Sequence, residues 1–220
     1  MNPATLTSMA TVVPGLHAST PEPLPFAPSL QIRAFLLERD RGNLLIYSTT
    51  GLGSDAEAIE DLGGISRHYL NHWHEAMFAS DWVHAPLFVH EAERPKVAEA
   101  YPVRATFSLH HHLDTDFEVI PTPGHTAGAT AYLWDSGSHR ALFTGDSIYL
   151  DDEKWVAAVL DSSDRAAYIE SLERIRELDF DLLVPWAASV ERPSHAFTDR
   201  EDARRRVDAI LERVRSGGGP

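Results

Sequence analysis

The sequence predicts one layered α/β domain spanning all 220 residues. Three observations carry that expectation. Short apolar runs bounded by Gly, Pro and polar turn residues dominate the first half, which is strand patterning. Helical periodicity recurs in both halves and closes the chain. No repeat of fixed period and no low-complexity linker divides it, and the length suits a single buried core.

The elements follow in order. Residues 1–30 read as an extended N-terminal arm, Pro-rich from Pro21 to Pro28. Gln31 to Glu38 and Asn43 to Ser48 flank the polar turn Arg39-Asp40-Arg41-Gly42, which predicts a β-hairpin. Ser54 to Leu62 is a short helix with Ser54 or Asp55 as its cap and Gly63-Gly64 as its stop. Ile65 to Leu70 and Pro86 to His90 are strands, and Glu91 to Ala100 is a helix that tolerates Pro95 only in its first turn. Phe117 to Ile120, Ala129 to Trp134 and Ala141 to Thr144 make three strands separated by turn chemistry. Ile169, Leu172 and Ile175 mark a helix after the cap candidates Ser162, Ser163 and Asp164. The last helix, 197–216, opens on a Thr198/Glu201 capping box. Its apolar stripe runs through Ala203, Val207, Ile210, Leu211 and Val214 to a stop at Gly217, with Arg204-Arg205-Arg206 on a solvated face.

Composition removes several function classes. With no cysteine there is no disulfide framework, no Cys-based zinc finger and no thiol nucleophile. A charge of −14, from 33 acidic against 19 basic residues, repels a phosphate backbone, so nucleic acid is not the expected partner. No uncharged apolar stretch approaches a membrane span, so no membrane partner is expected. Met1 to Leu30 holds no Lys or Arg and no sustained apolar run, so a cytoplasmic protein is expected. Oligomeric state is not encoded legibly, and a homodimer stays open. What stands out is twelve histidines.

Three segments share one form: an apolar strand that stops, then at once a metal-capable residue on a turn. They are His68-Tyr-Leu-Asn-His72-Trp-His74-Glu75, Pro121-Thr-Pro-Gly124-His125-Thr-Ala-Gly128 and Leu142-Phe-Thr-Gly145-Asp146-Ser147. His72-x-His74 alone is a weak signal, because the chain holds a second such pair at His110 and His112. In extended backbone, however, residues two apart point to the same side, so both imidazoles can meet one ion. The His125 loop is more specific, since two prolines and two glycines constrain how its imidazole is displayed. Asp146 comes after a strand and a Gly, where it either serves the site or caps a helix from Ser147 onward. Trp73 and Trp155 are candidates for lining an apolar pocket or for core packing. His90 reads as capping the helix after it, His110 to His112 as exposed loop, and His195 as a surface residue. Each of His90, His112 and His195 is also a conceivable stand-in ligand.

Taken together, the segments resemble the metallo-β-lactamase superfamily from about Val12 to Ser189. Pro-Gly-His125-Thr-x-Gly and Phe-Thr-Gly-Asp146-Ser look like that family's third and fourth metal motifs. Asn43 to Ser48 and Leu182-Leu-Val-Pro185 resemble its early and late strands. The resemblance implies a four-layered αββα sandwich with metals at one edge. It also implies hydrolysis of thioesters, lactones, lactams or phosphoesters, with oxygenases and redox enzymes as a minority. Departures from the pattern cluster. The first motif, normally His-x-His-x-Asp-His, reads His72-Trp-His74-Glu75-Ala76-Met77 here. Ala187 replaces the final His, and Tyr47 the Asp that normally ends the early strand. By the resemblance, Ala76, Met77 and Ala187 stand where a second ion's ligands belong. His72, His74 and His125 hold the first ion's positions, with Asp146 normally bridging the two.

The expectation is therefore one divalent metal, zinc first and iron as the alternative, on His72, His74, His125 and Asp146. The function expected is a mononuclear hydrolase of a small ester-, thioester- or lactone-like substrate through a metal-activated water. Asp146 is its catalytic carboxylate and Glu75 a shifted substitute for the lost one. Alternatives are a single-iron dioxygenase of the persulfide-oxidising type and a non-catalytic binding protein on a decayed metallo-hydrolase scaffold.

Overall fold

Alternation of side chains along paired strands decides the architecture, since the central strands bury apolar residues on both faces. The computed structural model describes residues 9–218. The first half runs β1 (Ala10–Val13), β2 (Leu16–Ala18), β3 (Glu22–Leu24), β4 (Ala27–Ile32), β5 (Phe35–Leu37) and β6 (Leu44–Ile46). A 3-10 segment at Thr50–Asp55 leads into α1 (Ala56–Asp61), followed by β7 (Arg67–Tyr69) and a second 3-10 segment at Trp73–Phe78. Then come β8 (Leu87–His90), α2 (Arg94–Val97) and β9 (Val103–Phe107). The second half opens with β10 (His111–Leu113), β11 (Phe117–Pro121), β12 (Thr130–Asp135) and β13 (Arg140–Gly145). It continues through β14 (Tyr149–Asp151), β15 (Lys154–Val156) and α3 (Arg165–Glu177). β16 (Leu182–Pro185), β17 (Ala187–Ser189), β18 (Ala196–Phe197) and α4 (Arg200–Arg215) complete it.

Two large sheets face each other. One has the order β1-β2-β5-β6-β7-β8-β9, the other β10-β11-β12-β13-β16-β18. Phe35, Leu37, Leu44 and Ile46 from the first meet Phe117, Tyr132, Phe143 and Val184 from the second in the central core. The alternate residues point outward. Leu36 and Leu45 pack on Ile59 of α1, while Leu133, Leu142 and Leu183 pack on Leu172 of α3 and Val207 and Ile210 of α4. Helices on both outer faces of a two-sheet core make the αββα sandwich. A third sheet, β15-β14-β17-β4-β3, lies beside these two and carries part of the site's wall.

Several elements differ from the sequence reading. The expected strand Gln31 to Glu38 is two strands: β4 pairs with β17 in the third sheet, while β5 pairs with β6. The chain changes sheet at Arg33-Ala34, and both flanks are apolar because both are buried. Residues 10–30 are not a free arm but supply β1 to β3 and most of β4; residues 1–8 lie outside the described residues. The last helix is capped by Asp199, which accepts from the Asp202 N–H at 2.8 Å; Thr198 instead donates to the Asp202 carboxylate. Asp55 begins α1 but spends its carboxylate on Thr20, whose N–H and hydroxyl both donate to it. Among the described residues no helix is long and apolar enough to cross a membrane.

Candidate metal centre

Three strand ends converge. The segment after β7 delivers His72 on extended backbone and His74 from the 3-10 turn that follows, the loop after β11 delivers His125, and Asp146 directly follows β13. One nitrogen of each ring and one Asp146 oxygen all lie within 4.8 Å of one another. His74 Nδ1 and His125 Nε2 are 3.0 Å apart, and Asp146 Oδ2 is 3.4 Å from His72 Nε2 and 3.7 Å from His125 Nε2. A tetrahedral ion with bonds near 2.05 Å spaces its ligands roughly 3.3 Å apart, so these donors need only small shifts to share one ion.

The rings are held from behind. His72 Nδ1 donates to Glu75 Oε1 at 2.9 Å, and His125 Nδ1 donates to the Ala158 carbonyl at 2.7 Å. Each bond orients its ring with Nε2 turned to the cluster, where a bound ion would displace any proton that nitrogen carries. His72 Nε2 is buried and has no hydrogen-bond partner among the described residues. An orphaned buried nitrogen aimed at two other imidazoles and a carboxylate is what a cation would satisfy.

Electrostatics agree. Burial opposes charge on His72, but Asp146 and Glu75 overcome it and lift the ring to about 10. The cluster therefore favours a positive charge. Burial, then the neighbouring His72 charge, push His74 down to about 3 and His125 to about 4, so both present neutral nitrogens. Burial also works against the Asp146 carboxylate, yet the surrounding imidazoles hold it below the usual range and it stays ionised.

The loops that carry these donors are cross-tied. Glu93, buried just before α2, accepts the Trp73 N–H at 2.7 Å and the Gly128 N–H at 2.6 Å, so one carboxylate spans both histidine loops. A Cβ at Gly128 would stand 2.7 Å from His90 Nδ1 and 2.8 Å from Glu93, so only glycine allows the tie. At Gly124, with φ +139, a Cβ would meet the backbone of Tyr168 in α3 at 2.3 Å. Nothing in the sequence around Glu93 distinguishes it from the exposed Glu91, and it escaped sequence reasoning for that reason.

Glu75 is not the carboxylate expected at the reacting face. It is fully buried and accepts from the Asn71 and His72 backbone N–H groups as well as from the His72 ring. Burial pushes its carboxyl up to about 7. It positions His72 rather than touching the pocket.

Above the cluster opens a pocket of about 350 Å³, walled by Leu24, Phe26, Leu30, Met77, Leu160 and Trp186 and floored by His74, His125 and Asp146. Tyr149 is its polar side wall, and among the described residues no Lys or Arg lines it. Met77 and Ala187 face this same pocket, while Ala76 is buried against the Leu70 and Val89 core. Trp186, overlooked in the sequence, donates its indole N–H to the Ser48 carbonyl and stands edge-on to His72 at 5.7 Å. Tyr47, at φ +68, donates to the Val184 carbonyl and accepts from the Gly145 N–H, tying together the strand ends beside Asp146.

The remaining candidates go elsewhere. Trp73 packs on His74 outside the pocket, and Trp155 stacks on Phe180 in the helix-covered core. His90 accepts from the Ala92 N–H, and His195 packs edge-on to Phe197; neither belongs to the cluster. His110 to His112 are exposed as expected, but only His110 lies outside regular structure; His111 and His112 belong to strand β10.

A sequence profile of the metallo-beta-lactamase superfamily matches residues 54–187. No curated protein is significantly similar in sequence. Among solved structures, a metallo-beta-lactamase family protein from Thermus thermophilus matches with TM-score 0.63 and 19% identity, over 94% of this chain and 81% of that one. A metallo-beta-lactamase from Pontibacter korlensis matches with TM-score 0.66 and 15% identity, over 93% and 98%. AidC, a dizinc quorum-quenching lactonase in complex with a product, matches with TM-score 0.55 and 14% identity, over 77% and 76%.

Proposed function

The chain belongs to the metallo-β-lactamase superfamily, and from that premise we propose that it is a mononuclear metal-dependent hydrolase of a small, uncharged ester, thioester or lactone with an apolar acyl part. The observation that carries the reading is the convergence of His72, His74, His125 and Asp146 at the floor of an apolar pocket. Met77 and Ala187 flank that floor with side chains that offer no hard or imidazole ligand, which supports a single ion. Three imidazoles and a carboxylate suit zinc. Fold likeness to a lactonase adds support for the ester-like class.

A bound divalent ion supplies a water of lowered pKa and a Lewis acid for the carbonyl. The chain's own residues supply the rest. Glu75 and the Ala158 carbonyl fix two imidazoles in the tautomer that presents Nε2. Asp146, ionised and with its side chain partly open to the pocket, is placed to accept a proton or hydrogen bond there. Leu24, Phe26, Leu30, Leu160 and Trp186 bind and desolvate the acyl part. A volume of about 350 Å³ fits only a small ligand. An anionic substrate would find no cationic side chain in the lining, which argues against phosphoesters.

Metal content of the purified protein, paired with turnover of neutral acyl esters, thioesters and lactones, tests the reading. One zinc per chain, turnover abolished by chelation and by His125→Ala, and none on phosphodiesters is the expected result. Protein that carries no metal, or turnover indifferent to both treatments, overturns it. Iron in the native protein with oxygen uptake on persulfides would replace it.

A further inference from the structure

The second His-x-His pair lies on an edge strand, outside the pocket lining and unused by the proposed hydrolysis. β10 is the edge strand of the six-stranded sheet and pairs antiparallel with β11, with His112 directly opposite Glu118. His110 and His112 are two apart on extended chain, so their rings fall on one face, 5.6 Å apart. Glu118 lies between them: its Oε2 is 3.2 Å from His110 Nε2 and its Oε1 is 4.0 Å from His112 Nδ1. One donor atom from each of the three lies within 4.8 Å of the others. His111 packs on Phe107 of β9 and donates from Nδ1 to the Leu109 carbonyl at 2.9 Å, so it is engaged apart from the pair.

We propose that His110, His112 and Glu118 form a second, solvent-facing binding site for one divalent late transition ion such as zinc, nickel or copper. Two imidazoles and one carboxylate select these ions over magnesium or calcium, which prefer all-oxygen shells. The spacings, 3.2 and 4.0 Å, bracket the roughly 3.3 Å that a tetrahedral ion imposes on its ligands. Both rings are more than half exposed, so the remaining coordination positions open to water. The ion would staple β10 to β11 by joining side chains of both strands. Exposed polar residues also discourage edge-to-edge pairing of sheets, and that duty alone would leave the trio indifferent to metal.

Zinc titration by calorimetry on the full chain, with the internal site already filled, separates these cases. Expected is one further equivalent per chain of weaker affinity, with a zinc-dependent rise in melting temperature that scales with free zinc. His112→Ala and Glu118→Gln should each lose that equivalent while keeping the internal ion. Cobalt titration gives a second readout through the ligand-field spectrum of the added equivalent. A titration that takes up no second equivalent overturns the proposal, as does a second equivalent that survives in the His110→Ala/His112→Ala double variant. The internal site is scored separately, by the metal already present, so failure here leaves the hydrolase reading standing and the converse holds too.

Discussion

The chain writes His-x-His twice, at His72/His74 and at His110/His112, and surrounds the two copies in opposite ways. The first is sunk beneath a pocket, with Glu75 behind one ring and Glu93 tying its loop to that of His125. The second stands on an edge strand with a single carboxylate between its rings and water around it. Spacing alone is equal in the two pairs. The difference lies in preorganisation: buried carboxylates fix tautomer, rotamer and charge in the first, whereas the second holds its donors only by strand register.

The comparison breaks most violently at the ligands. His125→Ala should lower turnover on the order of a thousandfold or more, read against the wild type on the best ester or lactone. His112→Ala should leave that turnover unchanged. Next comes the cross-tie. Glu93→Ala strands two buried backbone N–H groups and should cost about 2–5 kcal/mol in denaturant unfolding, with metal occupancy falling alongside. An unchanged midpoint would show that Glu93 is not a clamp.

Burial without a carboxylate partner sharpens the contrast further. His68 is buried, donates from Nε2 to the Tyr47 carbonyl and is depressed to about 4 by desolvation, against 6.5 when unfolded. Below pH 6.5 the unfolded chain takes up this proton first. Stability is therefore full above about pH 6.5 and drains away as pH falls toward 4, by about 3 kcal/mol. His68→Gln, which keeps a donor but does not titrate, should flatten that part of the stability profile. Smaller again is Glu75→Gln, which should weaken zinc about 10–100-fold by taking the carboxylate from behind His72, measured by competition with a chelator. The least effect belongs to the surface pair: without added metal, His112→Ala should shift stability by less than about 0.5 kcal/mol.

Legibility in the sequence divides along the same line. The candidate ligands announced themselves because each follows the end of an apolar strand, and both features are local. The groups that brace them did not. Glu93 acts on Trp73 twenty residues back and on Gly128 thirty-five residues on, and no window of sequence contains that relation. Glu75 was visible as a spare carboxylate, but only the fold shows it turned inward. In the scaffold, β12 and β13 read cleanly because both faces are buried and apolar between turn residues, and α4 because a single face of it is core. The strand expected from Gln31 to Glu38 failed at the crossing between two sheets, since buried apolar residues on both sides left Arg33 as a single polar residue inside an apolar run. Asp199 rather than Thr198 caps α4, as two adjacent residues of equal capping talent cannot be ranked by spacing.

Trp186 has a further consequence. Its indole lies edge-on within 5.7 Å of His72 and forms part of the pocket wall, with its N–H held by Ser48. A chromophore fixed at that range is in contact with both events the site would host. Paramagnetic copper or cobalt arriving at the cluster should quench its emission, and an acyl ligand displacing water from the pocket should shift its colour. Neither signal needs a label. The protein carries its own optical gauge of occupancy, and Trp186→Phe would remove the pocket's signal while leaving Trp73, 4.0 Å from the His74 ring and outside the pocket lining, to report the ion alone.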